Sequence, residues 1–308
     1  MTTPVKLVGF LLALVVVFVV ARGVGAVTGP VAEPTESMAH EVTGEGEHDD
    51  THEAEVAHAP GGLQVSDQGY TLRVLSAPDA TSDRPLRFEV FGPDGHRVQV
   101  YDLVHERPLH LVVVNRDLSS YDHVHPELSD DGVWSIDLDL SPGITRLIAD
   151  FTPRQGPELV LGTDLAVGGD YEPAPPAPVA RTATVGTYDV GLTGDLVPGE
   201  SSPVTLTVTR DGEPVTDLQP HLGAYGHLVA LREGDLAYLH VHPEESGAGP
   251  EVPFLAEVPS EGRYRLFLDF RHRGVVRTAA FTLGTAGSTV RAAGTGTGAH
   301  GEEGDHDH

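Results

Sequence analysis

The 308-residue chain has no cysteine, and its only methionines are Met1 and Met38. Without thiols it can form no disulfide, zinc ribbon, thiolate nucleophile or iron–sulfur cluster. With both methionines ahead of residue 39, a thioether copper(I) site inside a folded domain is excluded as well. Positive charge is scarce: 19 Lys+Arg stand against 46 Asp+Glu, a formal net charge of −27. Such a chain repels phosphate backbones and anionic lipid, so nucleic acid is not an expected partner, whereas cations are attracted. Catalytic signatures are also missing. There is no nucleophile elbow, no substrate-binding Gly-rich loop and no general base in a recognisable setting, so the reading is not an enzyme.

What is present begins with one apolar run, residues 7–21 (LVGFLLALVVVFVVA), behind Lys6. Its length fits a retained membrane helix or a signal peptide within residues 1–27, with the body outside the cytoplasm. The expected location is the cell membrane with an extracytoplasmic body, or secretion after signal cleavage. Residues 28–60 hold nine Asp/Glu, no Lys or Arg, and His40, His48, His52 and His58. So little apolar surface cannot offset the entropy of ordering, so this stretch reads as a disordered acidic tether. A Pro/Ala linker follows at 170–182, and a low-complexity acidic tail with His300, His306 and His308 fills 286–308.

The two segments between, 61–169 and 183–285, are copies of each other. HLVVVNRDLSSYDHVHPE (110–127) and HLVALREGDLAYLHVHPE (227–244) share nine of eighteen positions at an offset of 117. RLIADF (146–151) matches RLFLDF (265–270) two residues further on. Short alternating or apolar runs, punctuated by Gly, Pro and Asp-Gly, predict antiparallel strands. The expected fold is all-β, with two tandem immunoglobulin-like β-sandwich domains behind the hydrophobic segment.

The repeated phrase His-x-His-Pro-Glu concentrates the chemistry. Residues i and i+2 of a strand share a face, which pairs His123 with His125 and His240 with His242. A hairpin centred near residue 117 or 118 brings His110 opposite residue 124 or 125, and the second copy repeats this with His227. His105 and His221 precede these hairpins and offer a fourth nitrogen each. Asp150 and Asp269, carboxylates inside apolar strands, are expected to be paired or to orient a ligand histidine. After duplication Val113 became Ala230 and Val114 became Leu231, yet the imidazoles stayed. Histidine nitrogens with a carboxylate suit copper(II) or zinc. The expectation is one histidine-rich metal site per domain, serving copper or zinc binding, buffering or delivery. The alternative is a structural or protein-interaction module of the envelope, engaging an envelope protein partner without metal.

HERPLHLVVVNRDLSSYDHVHPE and LQPHLGAYGHLVALREGDLAYLHVHPE resemble a poorly characterised group of bacterial, often actinobacterial, cell-envelope proteins. These carry a leading hydrophobic segment and paired HLV…HxHP β domains of heavy-metal-binding type. The resemblance covers roughly residues 60–285 and implies an extracytoplasmic, metal-associated protein. His105, His110, His123 and His125 match the group's first motif. In the second motif the group often has an aromatic where this chain has His221.

Overall fold

The Val-, Leu-, Thr- and Phe-rich runs form strands, and no other regular element occurs among the described residues. The computed structural model describes residues 59–78, 84–239 and 241–285, all within one unit, Ala57–His308. The hydrophobic run at 7–21, the acidic tether up to residue 58 and the tail from 286 lie outside them.

The first sandwich comprises β1 (Ser66–Asp67), β2 (Tyr70–Ser76), β3 (Leu86–Phe91), β4 (His110–Asn115) and β5 (Tyr121–Val124), then β6 (Glu127–Leu128), β7 (Val133–Ile136), β8 (Gly143–Phe151) and β9 (Leu159–Val167). The second comprises β10 (Thr182–Val185), β11 (Tyr188–Thr193), β12 (Ser201–Arg210), β13 (Glu213–Pro214) and β14 (Gly226–Arg232), then β15 (Tyr238–Leu239), β16 (Val241–Pro243), β17 (Glu251–Glu257), β18 (Arg263–His272) and β19 (Val275–Gly284). All pairings are antiparallel. The first sandwich has sheets β1-β2-β3-β7-β6 and β5-β4-β8-β9; the second has β10-β11-β12-β17-β16 and β15-β14-β18-β19, with β13 on β12. Taking β2-β3-β7-β6 and β11-β12-β17-β16 as A-B-E-D, and β5-β4-β8-β9 and β15-β14-β18-β19 as C′-C-F-G, gives the immunoglobulin-like arrangement in both copies.

Each sandwich has its own core. Phe88, Trp134 and Phe151 anchor the first, and Phe254, Phe270 and Phe281 the second. Strands of the outer sheets alternate as expected for one wet face: along β12, Ser202, Val204, Leu206 and Val208 are buried while Ser201 and Pro203 are exposed. The strands carrying His110 and His227 behave differently. All six residues of β4 are buried, as are the first six of β14. A strand that reads as a continuous apolar run is covered on both faces.

The second cover is the other sandwich. Leu111 and Val113 of β4 point into their own core, whereas Val112 and Val114 join a third cluster with Ile148, Val229, Leu231, Leu236 and Phe267. The two C′-C-F-G sheets therefore pack against each other, and Tyr121 stacks on Phe267 across the seam with ring centroids 3.9 Å apart and planes 6° from parallel. Burying each such side chain contributes about 1.5–3 kcal/mol relative to exposure. The chain ahead of β1 crosses the seam too. The Gly61 carbonyl accepts from the Tyr238 N–H of the second sandwich at 2.9 Å, and the Gly62 N–H donates to Val160 of the first at 2.8 Å. Gly62 takes φ +75°, and an added Cβ would meet Ile148 at 3.0 Å and Tyr238 at 3.2 Å, so only glycine fits there.

Candidate metal centre

The hairpin register decides which imidazoles meet. β4 pairs with β5 through Leu111↔Val124 and Val112↔His123. One step further along the same register, His110 lies opposite His125. Since His110, Val112 and Val114 share a face, the histidines project not into the first sandwich but into the seam, at one end of its apolar cluster.

There the nitrogens converge. His110 Nδ1 lies 3.0 Å from His123 Nε2 and 3.1 Å from His125 Nε2. One ring nitrogen from each of the three falls within 4.8 Å of both others. Two of the remaining nitrogens are tied down. His110 Nε2–H donates to the Val104 carbonyl at 2.9 Å. His123 Nδ1–H donates to Asp269 Oδ2 at 3.1 Å. In a neutral imidazole one nitrogen carries the proton and the other a lone pair. These bonds therefore leave His110 Nδ1 and His123 Nε2 as two lone pairs facing each other at 3.0 Å, a repulsive contact unless a proton or a metal cation lies between them.

Burial disfavours the proton. It pushes His110 down to about 4, with the Val104 carbonyl partly opposing and His123, His227 and His105 adding to the fall. Burial, with neighbouring His123, His110 and Arg107, takes the half-buried His125 down to about 3. At neutral pH these rings are uncharged and available as ligands. A carbonyl and a carboxylate holding the far nitrogens of metal-binding histidines fix ring tautomer and orientation.

Asp269 sits in β18 of the second sandwich and is 5% exposed. It also accepts from Thr278 Oγ1 at 2.5 Å and receives the Tyr121 hydroxyl at 3.5 Å. Its counterpart Asp150 in β8 accepts from Tyr238 of the opposite sandwich at 3.1 Å. Burial first, and then the adjoining carboxylate, raises Tyr121 and Tyr238 well above the usual phenol range, keeping both as donors.

The second repeat keeps part of this construction, although Val241–Pro243 pairs with β17 in the other sheet and does not continue the hairpin with β14. His227 is 6% exposed, pairs with Asp269 across β14–β18 as His110 pairs with Asp150 across β4–β8, and donates through Nε2 to the His221 carbonyl at 2.8 Å. Burial lowers His227 to about 4, the His221 carbonyl opposing and His105 and His123 adding to the fall. Burial also lowers His221. The side chains of His240 and His242 lie outside the described residues.

The three converging imidazoles all belong to the first sandwich, but the expectation that its own Asp150 would partner them needs correcting. The carboxylate beside His123 comes from the other sandwich, because β4 and β14 turn their histidine faces toward each other. His105 does not join the three converging nitrogens. Its ring lies 6.0 Å from His110 and 5.1 Å from His227, again across the seam. His221 serves His227 through its backbone carbonyl. A cavity of about 170 Å³ lies between these groups, lined by His105, His110, His123, His227, Asp150 and Glu158 among others.

Sequence reasoning missed three contributors, Val104, Tyr121 and Tyr238. Val104 acts through its backbone oxygen, held by a tight turn in which His105 (φ 46°) and Glu106 (φ 64°) are left-handed, and a carbonyl leaves no side-chain signal. Tyr121 and Tyr238 did leave one, since a tyrosine stands two residues before the first histidine of the repeated phrase in both copies. Outside the seam, His272 is buried between the Tyr188 hydroxyl (2.8 Å) and Asp217 (2.9 Å), while His96 is exposed.

Fold and site define a tandem immunoglobulin-like pair with a buried histidine triad at the domain seam. The chain belongs to the family described as "Domain of unknown function (DUF8832)", whose model matches it twice, over residues 64–172 and 183–287. No curated protein matches. Solved structures with similarity include invasin, a bacterial integrin-binding protein, at 13% identity over 69% of this chain and 39% of that one, with a TM-score of 0.20. The FN1–FN3 domains of chicken CNTN1 match at 12% identity over 74% of this chain and 66% of that one, also at a TM-score of 0.20. Murine CEACAM1b matches at 12% identity, covering 70% of this chain and all of that one (100%), with a TM-score of 0.17. The chain thus spans 39% of invasin's resolved length and 66% of that of the CNTN1 fragment.

Proposed function

We propose that this is an extracytoplasmic metal-binding protein that binds, buffers or delivers copper or zinc, held at the cell membrane or released from it by its N-terminal segment. The observation that carries the reading is the triad itself: one ring nitrogen each of His110, His123 and His125 converges within 4.8 Å of the others, with the far nitrogens of His110 and His123 already bonded. Ligands about 2.0–2.1 Å from one ion lie about 2.9 Å apart at a right angle and about 3.4 Å apart at the tetrahedral angle. The separations of 3.0 and 3.1 Å fall between these values, and imidazole nitrogens suit copper(II) and zinc alike.

A second site built on His227, His240 and His242 belongs to the same reading. Its support is the repeated phrase, the buried His227 with its carbonyl-bound far nitrogen, and the mirrored Tyr–Asp pairs. Metal analysis after loading and dialysis tests the proposal: about two equivalents are expected, falling to one in His123→Ala/His125→Ala. Retention of no ion by the wild type would leave the envelope-interaction module as the better reading. In that case the apolar seam would be the reason for the phrase.

A further inference from the structure

We infer that Asp269, a residue of the second sandwich, is the positioning residue for the metal ligand His123 of the first. The ion is then held by one domain in a geometry set by the other. This rests on the metal-binding reading of the triad. Three observations carry it. The Asp269 carboxylate is almost fully buried and accepts the Nδ1–H of His123 at 3.1 Å, which aims His123 Nε2 at His110 and fixes its tautomer. Its other oxygen is held by Thr278 of β19 at 2.5 Å, so the carboxylate is locked from its own sandwich's side. And within that sandwich Asp269 lies opposite His227, not opposite any residue of the triad it serves.

An anionic acceptor on the far nitrogen strengthens the ligand, and removing such a partner typically weakens metal affinity about 10–100-fold. Affinities are reciprocal, so an ion in the triad also favours the docked arrangement that supplies Asp269.

The test uses the full chain, titrated with copper(II) against a chelator of known affinity, comparing wild type, His110→Ala, Asp269→Asn, Asp269→Glu and Thr278→Val, with thermal melting of each metal-free variant. Failure of the wild type to bind, or unchanged binding by His110→Ala, overturns the metal reading and this inference with it. Where the wild type binds through His110, the expected result is a loss of about 10–100-fold in that equivalent for Asp269→Asn, partly recovered in Asp269→Glu, with an altered copper(II) EPR spectrum. A merely structural role would move the melting temperature but not the affinity or spectrum of folded protein. Unchanged affinity and spectrum in folded Asp269→Asn would overturn the inference alone. Should that variant not fold, Thr278→Val decides: weaker binding supports the inference and wild-type binding refutes it.

Discussion

Acid should weaken the metal-free protein through its seam histidines, and the size of the effect follows from the structure. Burial moves His110 from 6.5 to about 4, whereas in the unfolded chain it titrates near its ordinary 6.5. Because the folded value is the lower one, the unfolded state binds the extra proton. Stability is therefore unaffected above about pH 6.5, falls as the pH drops, and levels off below about pH 4. The difference, at about 1.4 kcal/mol per unit, amounts to about 3 kcal/mol when fully expressed. Carboxylates titrate over part of the same range, so the measurement must be differential. Urea unfolding of wild type and His110→Leu, followed by fluorescence of the sole tryptophan, Trp134 in the first core, would be compared at pH 7 and pH 4. Between these values the wild type should lose about 3 kcal/mol more than the variant. Equal losses would show that His110 is not desolvated as the fold implies, and that burial does not hold its ring free of a proton.

Bound copper(II) or zinc should shift the acid transition to lower pH, because an ion on the triad blocks protonation; equilibrium dialysis at stepped pH would show retention near pH 6 and release toward pH 4. Glu106→Gly should stabilise the protein by about 0.5–1 kcal/mol, since φ 64° suits glycine and the matching position of the second repeat is Gly223 at φ 79°; a lowered denaturation midpoint would contradict this. Gly62→Ala should cost more than about 1 kcal/mol, through strain at φ +75° and contact with Ile148 and Tyr238, read by thermal melting. Tyr121→Ala, which removes the stack on Phe267 and a donor to Asp269, should cost about 3 kcal/mol and weaken ion binding, measured by urea unfolding and metal titration.

Much of this was legible in the residues. The duplication, the strand periodicity and the hairpin centre near 117 or 118 together place His110 opposite residue 124 or 125, and the observed register selects His125. The face onto which these histidines project was harder to read. HLVVV and HLVAL run apolar at consecutive positions, which signals burial on both sides but does not name the second cover. That cover is the other repeat, more than a hundred residues away, and nothing local to Asp269 marks His123 as its partner. Both domains inherited the same apolar face, so each could satisfy the other. Asp150 and Asp269 were recognisable as costly buried charges, but which domain they answer to depends on the docking.

The crossing at Gly61 and Gly62 has a mechanical consequence. The segment entering the first domain is hydrogen-bonded on one side to Tyr238 of the second and on the other to Val160 of the first. Tension applied through the upstream chain would therefore arrive at the joint between the modules, not at the far end of either one. Those two short bonds would be the first to yield, close to the tyrosine that anchors Asp150.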